Sequence, residues 1–348
     1  MGARKPPGPH HGCPLLGRYP LLTYILRRVA LALSVILATL VSTFLLFFAG
    51  PSDPAQAMCP ETRCNPARLE QITKSLGLDK PLSQQFLEYF KGLFVGRDFT
   101  YAGDTVHCGA PCLGYSFSTR QSVNTELFTR FPNTVVLALM AAVVFVTVGV
   151  TLGIIAAIRR GTPADRGIIG SSQTFGAIPY YVLALLVALY PVVLWNILPQ
   201  YAPISAGVGP YFLGMLAPAL ILGLYTSTSY TRYTRNSMLE TLSMDYIRTA
   251  RSKGIPERTV LVKHGFRAAM SPIVTILGLD IAALLTGTLI TEQIFGVDGI
   301  GRRTLAAFRA QDLPVIMGSV LIGAAVVVIM NLVVDIAYSF IDPRVRLQ

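Results

Sequence analysis

Six stretches of this chain are apolar over more residues than a water-soluble core can use: about 29–49, 133–158, 168–195, 211–231, 271–291 and 314–340. About 20 consecutive apolar residues wound as an α-helix cross the hydrocarbon of a bilayer. No water reaches the backbone there, so every N–H and C=O must be satisfied within the segment, and helix is the form such stretches take. The sequence therefore predicts an all-α membrane protein of six transmembrane helices, a class that its 52% hydrophobic and 14% charged residues also fit. The third and sixth stretches exceed the needed length and are expected to tilt or to extend past the membrane. The first is read as a retained span, because it is longer than a secretory h-region and the AGPSDPA after it offers no small-x-small cleavage site.

Lys and Arg set the expected orientation. Five basic residues precede the first span, three (Arg159, Arg160, Arg166) lie between spans two and three, eight lie between spans four and five, and two follow span six. The opposite short loops carry only Arg302, Arg303 and Arg309, and the long loop after span one is exempt from the count. Both termini are thus predicted on the cytoplasmic side of the membrane. The net charge of +11 orients the protein and meets anionic lipid, and it calls for no nucleic-acid partner. The organisation that follows is a cytoplasmic tail over 1–28, a first span over 29–49, an extracytoplasmic lobe over 50–132, and a core over 133–348 with a cytoplasmic loop at 232–270.

Inside the lobe, PLSQQFLEYFKGLF places Leu82, Phe86, Leu87, Phe90, Leu93 and Phe94 on one helical face, to pack within the lobe or to lie at the membrane surface. Cys59, Cys64, Cys108 and Cys112 also fall here, on the side where disulfides persist, and two bridges are expected. Three pairings are open, of which 59/64 and 108/112 close the shortest loops. A zinc site using His107 would need spacings that these cysteines lack.

Between spans four and five, DYIRTARSKG at 245–254 specifies a short helix of its own. Ser243 can cap its start, Asp245 suits the positive dipole end, and Arg248, Arg251 and Lys253 lie toward the negative end. Gly254 can take the left-handed conformation past the last turn, and Pro256 stops continuation. Such a basic helix either docks on a partner or lies on anionic lipid.

Polar residues within apolar spans mark a pathway or a helix contact. Asp280 falls near the middle of span five and must face a cavity or a partner. It could line a transport pathway, or bridge helices. Ser171, Ser172 and Gln173 in span three, and Asn331 and Asp335 in span six, are lesser candidates that interhelical hydrogen bonds also explain.

Several blocks, in this order, carry a resemblance: YILRRV at 24–29, SDPA at 52–55, LGLDKPLSQQF at 76–86, RFPNTVVLAL at 130–139, DYIRTARSKG at 245–254, EQIFGVDGIGRRTL at 292–305 and DPRVR at 342–346. From about residue 20 to the end the chain resembles the B-type permease subunit of dipeptide/oligopeptide ATP-binding cassette importers. That resemblance implies a type I ABC importer permease fold with a long extracytoplasmic loop between helices one and two. It also implies a coupling helix that enters a groove on a cytoplasmic ATPase, formed here by Asp245, Arg248, Thr249, Ala250, Arg251, Lys253 and Gly254. Arg248, Thr249 and Ala250 occupy the Glu-Ala-Ala positions that name the family motif, so its acid is absent. Pro272 matches the motif's distal proline, and Arg267 stands where many members have another. The stretch at 101–112 and residues 1–20 are additions to the family pattern.

The implied partners are a C-type second permease, two ATPase subunits or one bifunctional ATPase, an extracytoplasmic substrate-binding protein that Arg302, Arg303 and Arg309 could contact, and a peptide cargo. Nickel, glutathione and haem importers share the architecture. The chain has no G-x-x-x-x-G-K-[ST] loop, so ATP and magnesium would be bound by the partners and the chain itself is read as a transport subunit without cofactor, metal or catalytic residues. An ATPase-independent secondary transporter or channel is the reading from another class, and it leaves the basic docking loop unexplained. A membrane enzyme finds no support, since His10, His11, His107 and His264 all lie outside the spans.

Overall fold

The computed structural model describes residues 20–49, 54–57, 65–101, 104–116 and 118–341. Cys59, Cys64, the tail before residue 20, the DPRVR block and the Asp335 side chain lie outside the described residues. In chain order, α1 (Pro20–Phe48) leads into a lobe of α2 (Pro54–Ala57), α3 (Pro66–Leu76), α4 (Leu82–Val95) and two small antiparallel pairs. In the first, β1 (Arg97–Tyr101) pairs with β2 (Asp104–Cys108), Arg97 opposite Cys108; in the second, β3 (Tyr115–Ser116) pairs with β4 (Gln121–Ser122). The helical body follows as α5 (Val123–Ile158), α6 (Pro163–Ala177), α7 (Tyr180–Val187), α8 (Val208–Leu242), α9 (Asp245–Ser252), α10 (Glu257–Thr259), α11 (Arg267–Leu285), α12 (Leu289–Phe295), α13 (Ile300–Arg309) and α14 (Leu313–Ile341).

Five helices among the described residues are long and apolar enough to cross a membrane: Arg27–Phe48, Val123–Ile158, Val208–Leu242, Glu257–Leu285 and Leu313–Val334. A sixth crossing exists only if a bent pair counts as one span. The third stretch, expected as one span that tilts or extends past the membrane, is broken by 89° between α6 and α7. Pro179 is the cause: it has no N–H to donate, and its ring drives Ile178 out of the helical region to ψ 130°. Pro191 sits in the π-helical turn Ala188–Leu194 that carries α7 onward.

Span boundaries differ from the sequence expectation elsewhere too, the fourth helix running on to Leu242 past the expected 231. The second helix starts at Val123, ten residues before the apolar stretch, with the Ser122 side chain accepting the Thr125 N–H to cap it. The fifth begins at Glu257, passes through a π-helical turn at Val260–Phe266, carries Pro272 in its interior and ends at Leu285 rather than 291. Gly287, at φ 122°, turns the chain there and α12 starts a new direction.

The central pair is α5 against α8. Gly149 and Gly153 let the backbones approach, with Tyr230 and Thr234 lying over them. Apolar clusters run the length of this pair: Leu137, Tyr211 and Met215 at one end, Phe145, Tyr230 and Ile273 in the middle, and Ala157, Met238 and Ala269 at the other. Outside it, α11 packs on α14 and α14 on α1. The lobe has a small core of Ala55, Ile72, Phe99, Cys108, Cys112 and Tyr115. Cys108 and Cys112 form a disulfide, and Asn124, in the first turn of α5, pins the loop it closes: it accepts the Leu113 N–H at 2.9 Å and donates to the Gly109 and Pro111 carbonyls.

Candidate functional site: a docking helix and a two-motif clasp

At one end of the bundle, α9 projects between α8 and α10. Its inner face, Ile247 and Ala250, packs on Val260 with Leu242 and Ile255 at the edge. The opposite face is open: Asp245, Arg248, Thr249, Arg251 and Lys253 are exposed. Thr249 donates to the Asp245 carbonyl at 2.9 Å, and Arg248 lies 3.6 Å from the Asp245 carboxylate across one turn. Arg251 is forked onto Glu257 at 2.7 and 3.1 Å, so it braces the turn between α9 and α10. Gly254 adopts φ 75°, and a methyl group added to it would meet nothing within 4 Å, so backbone conformation alone demands glycine.

Ser243 does not cap this helix. It follows α8 and donates to the Glu240 carbonyl at 2.7 Å, while Met244 occupies the N-cap position of α9 without a side-chain bond. The eight residues Asp245–Ser252 make a helix of about 12 Å at 1.5 Å per residue. Beside it, a cleft of about 420 Å³ is lined by Arg160, Leu239, Ser243, Arg251 and Glu257.

A second assembly joins segments distant in sequence. Glu292 of α12 is fully buried. Its carboxylate accepts from Thr134 Oγ1 at 2.9 Å, from Thr288 Oγ1 at 3.3 Å and from the Arg302 N–H at 2.8 Å. Thr134 in turn accepts the Ile300 N–H at 3.0 Å, which satisfies another free donor at the start of α13. A methyl group at Gly299 would overlap the carboxylate, and one at Gly301 would lie 2.9 Å from it, which is why glycine stands at both positions. Arg130 and Asn133 hold the loop before α13 from the other side, donating to the Asp298 carboxylate and carbonyl, each at 2.8 Å. Tyr211 of α8 donates to Asn133 at 2.9 Å. The RFPNT and EQIFGVDGIG blocks are thus two halves of one clasp. Sequence reasoning places neither Glu292 nor Thr134 at a site, although an acid followed by G-x-x-G-x-G is the available signal.

The three arginines of α13 part company. Arg302 and Arg309 are exposed and line a cleft of about 440 Å³ with Gln293, Ala306 and Ala310, Arg302 also donating to the Gly296 carbonyl at 2.8 Å. Arg303, expected on the surface, is 8% exposed and turned inward. It pairs with Glu126 of α5 and lies 3.2 Å from Asp312, both buried carboxylates. Ser116 and Ser118 of the lobe donate to Asp312 at 2.5 Å each, and Thr119 donates to Glu126. The reason for the inward turn is this pair of acids, which could not stay buried without a cation.

Among the other expected residues, Asp280 is half-buried and accepts the Tyr230 hydroxyl at 2.7 Å, a bond between α11 and α8. Ser171 donates to the Ile168 carbonyl at 3.0 Å, and Gln173 is exposed on α6. Asn331 is exposed and lines a groove of about 360 Å³ between α1 and α14 with Arg28, Thr39 and Val328.

Residues 149–347 match the family of the binding-protein-dependent transport system inner membrane component, and residues 21–138 match the N-terminal family of such membrane components. The chain belongs to this transport permease family. It is 33% identical to the dipeptide transport system permease protein DppB of Escherichia coli strain K12, over 94% of this chain and 99% of that one. It is 33% identical to the di/tripeptide transport system permease protein DppB of Pseudomonas aeruginosa strain UCBPP-PA14, over 94% and 100%. A putative peptide transport system permease protein of Brucella abortus strain 2308 is 36% identical over 92% and 98%. Among solved structures, the MetNI methionine ABC transporter in an inward-facing form aligns with a TM-score of 0.49 at 12% identity, covering 63% of this chain and 97% of that one. The chain is a multi-pass membrane permease subunit of an ABC importer, with the helical fold of its family.

Proposed function

We propose that the chain is the B-type membrane subunit of an ATP-driven importer of di- and oligopeptides. The exposed α9 helix is the coupling element: it enters a cytoplasmic ATPase and transmits its closure to α8, which precedes it, and through α10 to α11. The observation that carries this reading is the form of α9, a short basic helix packed by Ile247 and Ala250, braced by Arg251–Glu257 and ended at a left-handed Gly254. A stiff lever with a fixed turn is what rigid-body alternating access needs. ATP and magnesium reside in two ATPase subunits or one bifunctional ATPase, and a C-type permease supplies the other half of the pathway.

The peptide cargo rests on the names of the relatives. Both termini and α9 are cytoplasmic by the distribution of Lys and Arg. The lobe and α13 then face outward, where Arg302 and Arg309 meet acids of a substrate-binding protein. Asp280, half-buried between α11 and α8, would meet the ammonium of a passing peptide.

The test is purification of the tagged chain from its own cells in mild detergent, with mass spectrometry of what accompanies it and ATP hydrolysis with and without short peptides. A second permease with nucleotide-binding subunits and peptide-stimulated hydrolysis is expected. A homo-oligomer without ATPase would overturn the proposal in favour of a channel or secondary transporter.

A further inference from the structure

The α4 helix has an apolar sector wider than its packed face. Gln85, Tyr89 and Gly92 point inward, and Phe86, Phe90 and Leu93, together with Phe47 and Phe48 of α1, pack against a core that contains Phe44 and Tyr89. Beside them Leu87 is 63% and Phe94 69% exposed, although seven residues apart and on one face. Phe94 stacks edge-on to Phe90 at 5.2 Å, Phe90 lies 6.1 Å from Phe86, and Phe86 lies 5.2 Å from Phe44. An aromatic ladder therefore climbs out of the core along α4 and ends in the open. The far sector of the helix is polar, with Gln84, Glu88 and Lys91, and Glu88 is paired with Lys80 at 2.6 Å.

The level at which α4 meets α1 decides what covers the open sector. Phe44 touches both Phe86 and Tyr89, so the two helices meet around one residue. The apolar run of α1 begins at Val29, after Arg27 and Arg28, and roughly fifteen residues at 1.5 Å raise Phe44 by roughly 22 Å above it. The hydrocarbon layer is about 30 Å thick, which puts α4 within about 8 Å of its far edge, the depth at which amphipathic helices lie in a bilayer. At the same level, Leu45 and Leu46 of α1 are 50% and 71% exposed. The apolar sector of α4 is continuous with a lipid-facing flank.

We propose that α4 is an interfacial anchor, with Leu87 and Phe94 inserted among the acyl chains just below the headgroups and Glu88 and Lys91 turned to water. The lobe is thereby held at a set height over the membrane. The inference needs only that α1 crosses the bilayer, so it stands apart from the cargo and ATPase coupling proposed above. Charge fits the assignment as well: the inserted sector has none, and Lys91 can extend toward headgroup phosphates.

The experiment places single tryptophans in the full chain reconstituted with its co-purifying subunits in phosphatidylethanolamine/phosphatidylglycerol nanodiscs. The one native tryptophan, Trp195, is first replaced by Phe. Phe94→Trp should lose roughly half its emission to lipids brominated near the headgroup, less to lipids brominated deep in the chain, and little to aqueous iodide. Glu88→Trp should show the reverse, and Leu87→Trp serves as a second reporter should the first variant fold poorly. Equal iodide quenching at positions 94 and 88 would overturn the anchor. So would protection of Phe94→Trp from both quenchers, which would mean that another protein surface covers it.

Discussion

The Glu292 carboxylate accepts the Arg302 backbone N–H at 2.8 Å and so ties the end of α12 to the first turn of α13. A carboxylate at a helix start satisfies free donors and meets the positive dipole end. Because Thr134 bonds both Glu292 and the Ile300 N–H, Thr134→Val should leave two buried groups short of a partner and cost about 1–3 kcal/mol. Gly299→Ala should cost a similar amount, about 1–3 kcal/mol, by overpacking against the carboxylate. Thermal unfolding in detergent, compared with the parent, checks both, and unchanged midpoints would contradict the clasp.

Burial pushes the Glu292 carboxyl above its ordinary value of 4.5, against the lowering by the Arg302 N–H and the two threonine hydroxyls. The folded protein then holds this proton more tightly than the unfolded chain does. The contribution to stability is fully present below pH 4.5 and declines as pH rises through the raised folded value. Glu292→Gln should flatten that decline, seen as a smaller drop in the unfolding midpoint between about pH 4 and 8 than the parent shows.

Arg303 neutralises two buried acids at once. Arg303→Ala should destabilise by about 3–5 kcal/mol, since Glu126 and Asp312 stay buried without their cation. Arg302→Ala, at an exposed position, should leave the unfolding midpoint close to that of the parent and instead weaken capture of the binding protein, with a salt dependence that the variant loses. A stable Arg303→Ala protein would refute the burial argument.

Gly254→Val places a β-branched side chain at φ 75° and should strain the turn by about 1–3 kcal/mol. Under the lever reading, hydrolysis continues while uptake per ATP falls several-fold. Uptake equal to the parent's at equal expression would count against α9 as the coupling element.

Tyr230→Phe and Asp280→Asn separate the two roles open to Asp280. If the carboxylate serves the pathway, Asp280→Asn lowers uptake per folded molecule and Tyr230→Phe does not. If it only bridges α8 and α11, both variants lose about 1 kcal/mol of stability and neither changes uptake per folded molecule.

Much of this protein is legible in its sequence. Apolar run length alone announces the spans, because hydrocarbon imposes helix on any segment that crosses it. The α9 helix is equally legible, since Asp245, Gly254 and Pro256 act locally, through dipole, backbone conformation and a missing N–H. One departure arises because a local signal can serve either of two neighbours. A serine between two helices can finish one as well as start the next, and Ser243 donates back to Glu240 instead of capping α9. The bend at Pro179 is hidden in a hydropathy count because its apolar neighbours mask it.

What the sequence by itself determined is whatever depends on neighbours within a turn or two: the apolar spans, the α9 helix and its Gly254 stop. Tertiary structure alone decided which distant groups meet. Thr134 and Glu292 stand 158 residues apart, and Arg303 and Glu126 stand 177 apart. Each is an unremarkable polar residue until packing removes water from around it. Desolvation then makes a partner obligatory, and only the fold determines which partner is within reach.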